Sequence, residues 1–511
     1  MCVSQFHNSV VISFVKGSGM GSGSGVKIVS ECFVEPHQGL QKPTPPFHLT
    51  PWDVNLINFH FHIQNGLLFA VKPPEMKTLL ENLKSSLSLT LLHFYPVAGR
   101  IRAIKHINGN NNEILILNHE NEKEAANNAD AEVSYSYHVD CNNSSGVKFI
   151  HAISLHKDFG VSDLLHSQSP SYDDDIPAGV LQSLFMDDKD VNDLKSKSLL
   201  TITVVELVDG IFLGCSMNHI VADGNSFCYF LSMWSHIFQQ QQQQQNIITI
   251  SRPPMLERWF PDGYGPVLKV PFALRSFDSF TIPQPPPRRA RIFHLYSQAI
   301  ANIKAKAIAD LTATNNPNAN GVIPKISSFQ ALSAFLWRTI TQVRNLPPDR
   351  TLLLVSPINN RSRLDPPLPA EYFGNAVGMI AVITTAGELL SNNLGWAAWK
   401  INQAVVNYDD TQVGQWLHDW LKSPRCLMPD DQIKLCSVVV NDFSKFSTID
   451  NEFGILGKPL GFYFGNRNLM SDGNVCACSG REHGSIALDI CLSPDAMSRL
   501  LSHEHFMEAV R

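Results

Sequence analysis

The sequence predicts an α/β body built in two halves. Three observations lead there. Segments of helical and of strand periodicity occur in both halves, the pattern of layered α/β architecture. The chain has 511 residues, 17% of them charged and 44% hydrophobic. A typical domain carries about 25% charge, and interior outgrows surface as chains lengthen, so these figures suit a large packed body. Finally, a Gln- and Pro-rich stretch over residues 239–290 separates the halves.

The same numbers exclude several function classes. The apolar content is too high and the charge too low for an intrinsically disordered chain. Acids outnumber bases 46 to 40, for a net charge of −6, so the basic excess expected for a nucleic-acid partner is missing. No apolar run approaches the ~18 residues a membrane helix needs. Ten cysteines are scattered without CxxC spacing, which argues for a reducing, cytoplasmic setting and against a metal site. Together these predict a cytoplasmic protein with no membrane or nucleic-acid partner and no metal; a monomer is expected.

In chain order, residues 1–25 read as a disordered extension. They hold the short apolar run Val10–Val15 and then a Gly/Ser tract, and Met20 offers a second start. The run is short for a secretory signal and no cleavage site follows it. Residues 26–238 form the first predicted domain. Within it, Glu75–Leu92 is an amphipathic helix, with Met76, Leu79, Leu80, Leu83 and Leu87 at helical spacing. The Asn-rich, charged residues 107–130 read as a long loop. Leu199–Leu207 is a β-branched strand, Val208-Asp209-Gly210 a turn, and Ile211–Met217 the returning strand of a hairpin. An apolar helix over Phe227–Phe238 follows.

The crossover begins with seven consecutive Gln at 239–245, read as a flexible insertion after that helix. It ends on the Pro-rich 283–289, whose prolines lack backbone donors. Residues 291–511 form the second predicted domain. Ser327-Ser328-Phe329-Gln330 opens a helix with a capping-type signal. Thr351–Val355 and Met379–Thr384 read as strands.

The chemistry is sharpest at Asn218-His219-Ile220-Val221-Ala222-Asp223-Gly224, where the hairpin leaves for the next helix. HxxxD alone says little. Nineteen His, each with about a one-in-twenty chance of Asp four residues on, give about one match by accident. Context adds weight, because a strand-to-helix turn can hold a side chain rigidly at a cavity. A histidine there can serve as a general base, its pKa lying near neutrality. The alternative is a buried, hydrogen-bonded structural His. An Asp beside it can orient the ring or fix the local backbone.

Several separated segments then resemble, in order, the plant BAHD-type acyl-CoA-dependent acyltransferases, from about Val26 to Arg511. His219–Gly224 is similar to that family's HxxxDG, and Leu92–Arg100 (LHFYPVAGR) to its FYPLAGR signature. Leu49–Asp53 (LTPWD) resembles its early motif. Asn360–Pro369 with Tyr372-Phe373-Gly374-Asn375 resembles its RxRxxPPLP…YFGN block. One block departs: DFGWGKP is here Glu452-Phe453-Gly454-Ile455-Leu456-Gly457-Lys458-Pro459, with Glu for Asp, no Trp and one residue inserted. This resembles a subgroup with an EFGMGK variant.

The resemblance implies two chloramphenicol-acetyltransferase-like domains, each a mixed β-sheet with helices, joined by the long crossover. It implies acyl transfer, acetyl favoured, from acyl-CoA as co-substrate to a hydroxyl or amine of a small specialised metabolite. No permanent cofactor is expected. His219 would be the base and Asp223 its structural support, paired with an arginine of the second half, Arg361 first and Arg363 second. The absence of a GxSxG elbow agrees with transfer lacking an acyl-enzyme. Asn441 is a candidate oxyanion donor, with an ordinary turn Asn as the alternative. Ser327 and Ser328 are candidates for a CoA phosphate at a helix start, with simple N-capping as the alternative. The altered 452–459 loop leaves open a diverged member with a lyase-like or non-catalytic binding role.

Overall fold

The computed structural model describes residues 25–37, 43–58, 62–107, 111–115, 133–155, 159–166, 178–185, 198–244, 248, 250, 252–274, 287–313, 325–427, 437–446, 448–465 and 470–510. The expected extension at 1–25 lies outside these residues except for Gly25, as do most of the Asn-rich stretch and of the Pro-rich piece.

Sixteen strands are described, in three sheets. They are β1 Val26–Val34, β2 Phe47–His48, β3 His62–Phe69, β4 Arg100–Ile107, β5 Asn111–Leu115, β6 Val133–Asp140, β7 Val147–Ser154 and β8 Leu200–Glu206. Then come β9 Ile211–Asn218, β10 Arg289–Leu295, β11 Thr351–Asn359, β12 Val377–Thr385, β13 Ser437–Phe443, β14 Gly461–Phe464, β15 Asn474–Ser479 and β16 Ile486–Leu492. The first-half sheet has the order β1-β7-β8-β9-β3-β14, the second-half sheet β10-β16-β15-β13-β11-β12, and a four-stranded sheet β2-β6-β4-β5. Each six-stranded sheet is mixed: β7 and β8 run parallel in the first, and β11, β13 and β15 in the second.

The local patterns are realised. The helix Met76–Thr90 buries Leu79, Leu80, Leu83 and Leu87, the stripe that helical spacing puts on one face. β8 and β9 form the hairpin, Glu206 opposite Ile211 and Leu200 opposite Met217. The helix Ser328–Arg344 starts on Ser327, whose side chain accepts from the Gln330 N–H, while the Gln330 side chain accepts from the Ser327 N–H. This reciprocal capping box satisfies two donors that a helix start otherwise leaves unpaired.

Three expectations are corrected. First, the Gln tract does not begin after the helix. The helix runs Gly224–Gln242, so Gln239–Gln242 form its last turn. Gln is a good helix former once a turn is already in place, and these side chains find partners. Gln239 donates to the Glu452 carbonyl at 2.9 Å, Gln241 donates to Ser85, and Gln240 is buried. Second, the stretch 107–130 is not loop throughout, because β5 pairs with β4 inside it. Third, the halves exchange material. β14 of the second half completes the first-half sheet against β3, Gly461 opposite Leu68.

The core follows the same exchange. Phe453, Leu456, Phe462, Tyr463 and Phe464 belong to the first-half core. Side chains alternate along β15, so Val475 and Ala477 face the second-half core while Cys476 and Cys478 face the first. β15 is thus apolar on both faces, and the first-half core reaches across the seam to it.

Candidate active site

β9 ends at Asn218, whose side chain accepts from the Ile220 N–H at 3.0 Å. The chain turns through His219–Ala222 and enters the helix at Gly224, with Asp223 as N-cap accepting from the Ser226 N–H at 2.8 Å. Asp is a preferred cap because its carboxylate meets the unpaired N–H groups of the first turn.

Both Asp223 oxygens also serve the second half. Arg361 binds them in a fork, Nη1 to Oδ2 at 2.8 Å and Nη2 to Oδ1 at 3.2 Å, and the Ala376 N–H donates to Oδ2 at 3.0 Å. Arg361 spends its other donors on the Tyr372 and Gly374 carbonyls and on the Ser226 hydroxyl. Asp223 and Arg361 are both buried. Burial by itself would raise the Asp223 carboxyl, but the Arg361 charge and these hydrogen bonds hold it below its ordinary value.

The His219 ring is half-buried. Its Nδ1 lies 3.2 Å from Asn375 Oδ1. Asn375 is wired in turn. Its Nδ2 donates to the His219 carbonyl at 2.7 Å, the Ile220 carbonyl at 3.2 Å and Asp53 Oδ1 at 2.9 Å, and its N–H donates to Asp53 Oδ1 at 3.2 Å. Asp53 is buried and takes the Thr50 N–H and hydroxyl on Oδ2, both at 2.7 Å, together with Arg258. Arg258 also donates to the His48 and Phe373 carbonyls.

Gly374 makes this approach possible. Its φ is +139°, and a Cβ there would stand 2.0 Å from Arg258 Nη1. Burial lowers the His219 pKa from the ordinary 6.5. It is opposed by the ring's bond to its own backbone carbonyl, by the charges of Asp223 and Asp53, and by Asn375.

The anticipated residues divide. His219, Asp223 and Arg361 converge. Arg363 does not join them, because it donates to the Val405 and Tyr408 carbonyls. Asn441 sits on β13, where its amide donates to Asn474 Oδ1 at 3.2 Å and to the Val475 carbonyl at 3.5 Å. Ser327 is used as a cap, and it and Ser328 are exposed at the helix start.

Sequence reading assigned no role to Asp53, Asn375 or Arg258. The first two stood in quoted motifs, LTPWD and YFGN. The only signal for Arg258 was an isolated arginine beside Trp259 in a Pro-rich stretch.

The altered loop is anchored. Phe453 is fully buried, with its ring 5.1 Å from Trp234, 5.6 Å from Phe238 and 6.1 Å from Phe69. The Glu452 carbonyl accepts from Ser235 and Gln239. Ile455 points outward, 57% exposed.

A paired-half α/β body with a histidine at its seam defines a class, and comparison with known proteins places the chain within it. The model of the Transferase family matches residues 25–110 and 130–507. An uncharacterized acetyltransferase of Arabidopsis thaliana is 30% identical over 490 residues, 94% of this chain and 99% of that protein. Vinorine synthase shares the fold with a TM-score of 0.62 at 17% identity, covering 95% of this chain and 98% of that one. Fusarium sporotrichioides TRI101, solved with coenzyme A and T-2, superposes with a TM-score of 0.62 at 17% identity, covering 91% and 99%. The chain belongs to the BAHD acyltransferases of the Transferase family. It is an acyl-CoA-dependent acyltransferase.

Proposed function

We propose that the protein transfers an acyl group, acetyl favoured, from acyl-CoA to a hydroxyl or amine of a small specialised metabolite, with His219 as general base. The observation that carries this is a histidine at the seam of the halves with its pKa held below 6.5 by burial. Such a ring is neutral at neutral pH and ready to accept a proton.

The acceptor O–H or N–H gives its proton to His219 as the acceptor atom attacks the thioester carbonyl carbon. The tetrahedral oxyanion collapses, the C–S bond breaks, and the CoA thiolate takes the proton from the imidazolium. No acyl-enzyme is required. Cys228, on the helix that follows His219, supports this, because burial and the charges of Asp223 and Cys478 raise its thiol well above the ordinary value. Asp223 supports the loop through Arg361 and does not touch substrate. The exposed helix start at Ser327 and Ser328 would meet a CoA phosphate, anions being favoured at helix N-termini. The name of the Arabidopsis relative supports acetyl as donor group. The protein would act as a monomer in the cytoplasm. No helix among the described residues is long and apolar enough to cross a membrane.

The test is thiol release from acetyl-CoA with a panel of alcohols and amines. His219→Ala should lower the rate about 10²–10⁴-fold, the usual contribution of a general base. Release undiminished in that variant would remove His219 from the mechanism.

A further inference from the structure

We infer that Asn65 is a specificity-determining residue, and that its amide binds an uncharged hydroxyl that the substrate carries away from the reacting atom. The inference rests on the reading of His219 as the base and adds what the substrate must present beyond its reacting group.

Asn65 lies in the middle of β3 and is 1% exposed. Both ends of its amide are buried, and neither Oδ1 nor Nδ2 has a hydrogen-bond partner among the described residues. Buried polar groups are nearly always paired, and leaving one unpaired destabilises the fold. A bound ligand that supplies the partner accounts for such a group. An ordered water is the other source of a partner, and variants of Asn65 separate the two.

The position favours substrate. Directly opposite residues of paired strands share a face, and Asn65 stands between Cys215 of β9 and Phe464 of β14. On the same face of β3, the Phe69 ring meets Phe453, which packs on Trp234 and Phe238 of the helix Gly224–Gln242. This is therefore the face covered by the helix that follows His219. Toward the start of that helix, the Phe464 ring lies 5.2 Å from Phe443 of β13. Phe443 in turn fills the space beside Gly224, where a Cβ would stand 2.8 Å from its ring. Two aromatic rings thus lead from the turn of His219 to Asn65 along the seam of the halves.

The surroundings set the chemistry of the ligand. Burial pushes the Cys215 thiol up, and nothing beside it would offset the desolvation of a charged ligand group. An uncharged hydroxyl suits either end of the amide, donating to Oδ1 or accepting from Nδ2. Cys215 precedes His219 by four residues, about 13 Å along a strand. Less a hydrogen bond of about 3 Å at each end, the hydroxyl sits about 7 Å from the reacting atom. An aromatic ring with a two-carbon arm spans that gap. Acceptor and acyl group meet at His219, so either can carry the hydroxyl, and matched pairs of substrates tell them apart.

The experiment measures kcat/KM for the full chain. One pair of acceptors for acetyl-CoA is 2-(4-hydroxyphenyl)ethanol and 2-phenylethanol, read as the ester at the aliphatic hydroxyl. One pair of donors to 2-phenylethanol is 4-hydroxycinnamoyl-CoA and cinnamoyl-CoA. Wild type should favour the hydroxylated member of one pair by about 10–100-fold, the effect of leaving a buried group unpaired. A preference within the acceptor pair puts the hydroxyl on the acceptor, and one within the donor pair puts it on the acyl group. Asn65→Leu, close in volume, should abolish the preference and raise the Tm of the ligand-free protein, because the unpaired amide is gone. Asn65→Ala should abolish the preference as well, and it replaces Asn65→Leu if that variant does not fold.

Equal turnover of both members of each pair by wild type overturns the inference. So does a preference that survives in the Asn65 variants, the outcome expected if a structural water pairs the amide. In either case thiol is still released and His219 keeps its role. Absence of thiol release with all of these substrates, or release undiminished in His219→Ala, overturns the reading beneath and this inference with it.

Discussion

Asp223 stands four residues from His219, yet its oxygens turn away from the ring toward Arg361, Ser226 and Ala376. The ring instead meets Asn375, which lies 156 residues away in sequence. The HxxxD spacing therefore serves a fold-supporting contact, and the contact to the ring comes from elsewhere. Arg361→Met should destabilise the protein by about 3–5 kcal/mol, the cost of stranding a buried charge. The folded Asp223 pKa is below its unfolded value, so the pair's contribution is complete above the unfolded carboxylate pKa of about 3.9 and is lost as pH falls through the folded one. Denaturant melts at pH 7 and near pH 3 should show the gap between variant and wild type narrowing on acidification. An equal gap at both would contradict the assignment.

Among the elements, the 452–459 loop shows how a changed motif keeps its structural work. The side chain that enters the first-half core is Phe453, edge-on to Trp234 and Phe69. Gly454 has φ +52°, and a Cβ there would lie 2.8 Å from Phe238, so the turn after Phe453 needs glycine. Ile455 projects outward. Phe453→Ala should cost about 3–5 kcal/mol, the range for a buried aromatic, whereas Ile455→Ser should stay within about 0.5 kcal/mol. Thermal melts of the two variants side by side check this. The Gln tract illustrates the converse case. Its composition marks a linker, but it continues a helix already nucleated and finds partners on the 452 loop and on Ser85.

For the whole molecule, the exchange of β14, the shared core at the second-half sheet, and the buried pair Asp223–Arg361 join the halves. Removing the second half would uncover the β3 edge and empty the Phe453–Phe464 side of the first core. Calorimetry should therefore show one cooperative unfolding transition, and residues 26–274 expressed alone should not fold. Two separable transitions would mean that the halves are independent.

Much was legible in the sequence. The Met76–Thr90 helix, the β8–β9 hairpin and the Ser327 cap are written in spacing and turn chemistry, which act within a few residues. His219, Asp223 and Arg361 stood in ordered motifs. What sequence could not supply was the partner across the fold. Arg361 and Arg363 are two residues apart and chemically alike, and only the path of the chain sends one to Asp223 and the other to the Val405 and Tyr408 carbonyls. The sequence determined the local elements and the place of His219 at the turn between a strand and a helix. The tertiary structure decided which buried donors and acceptors meet around it, because burial requires each of them to find a partner wherever the fold brings one.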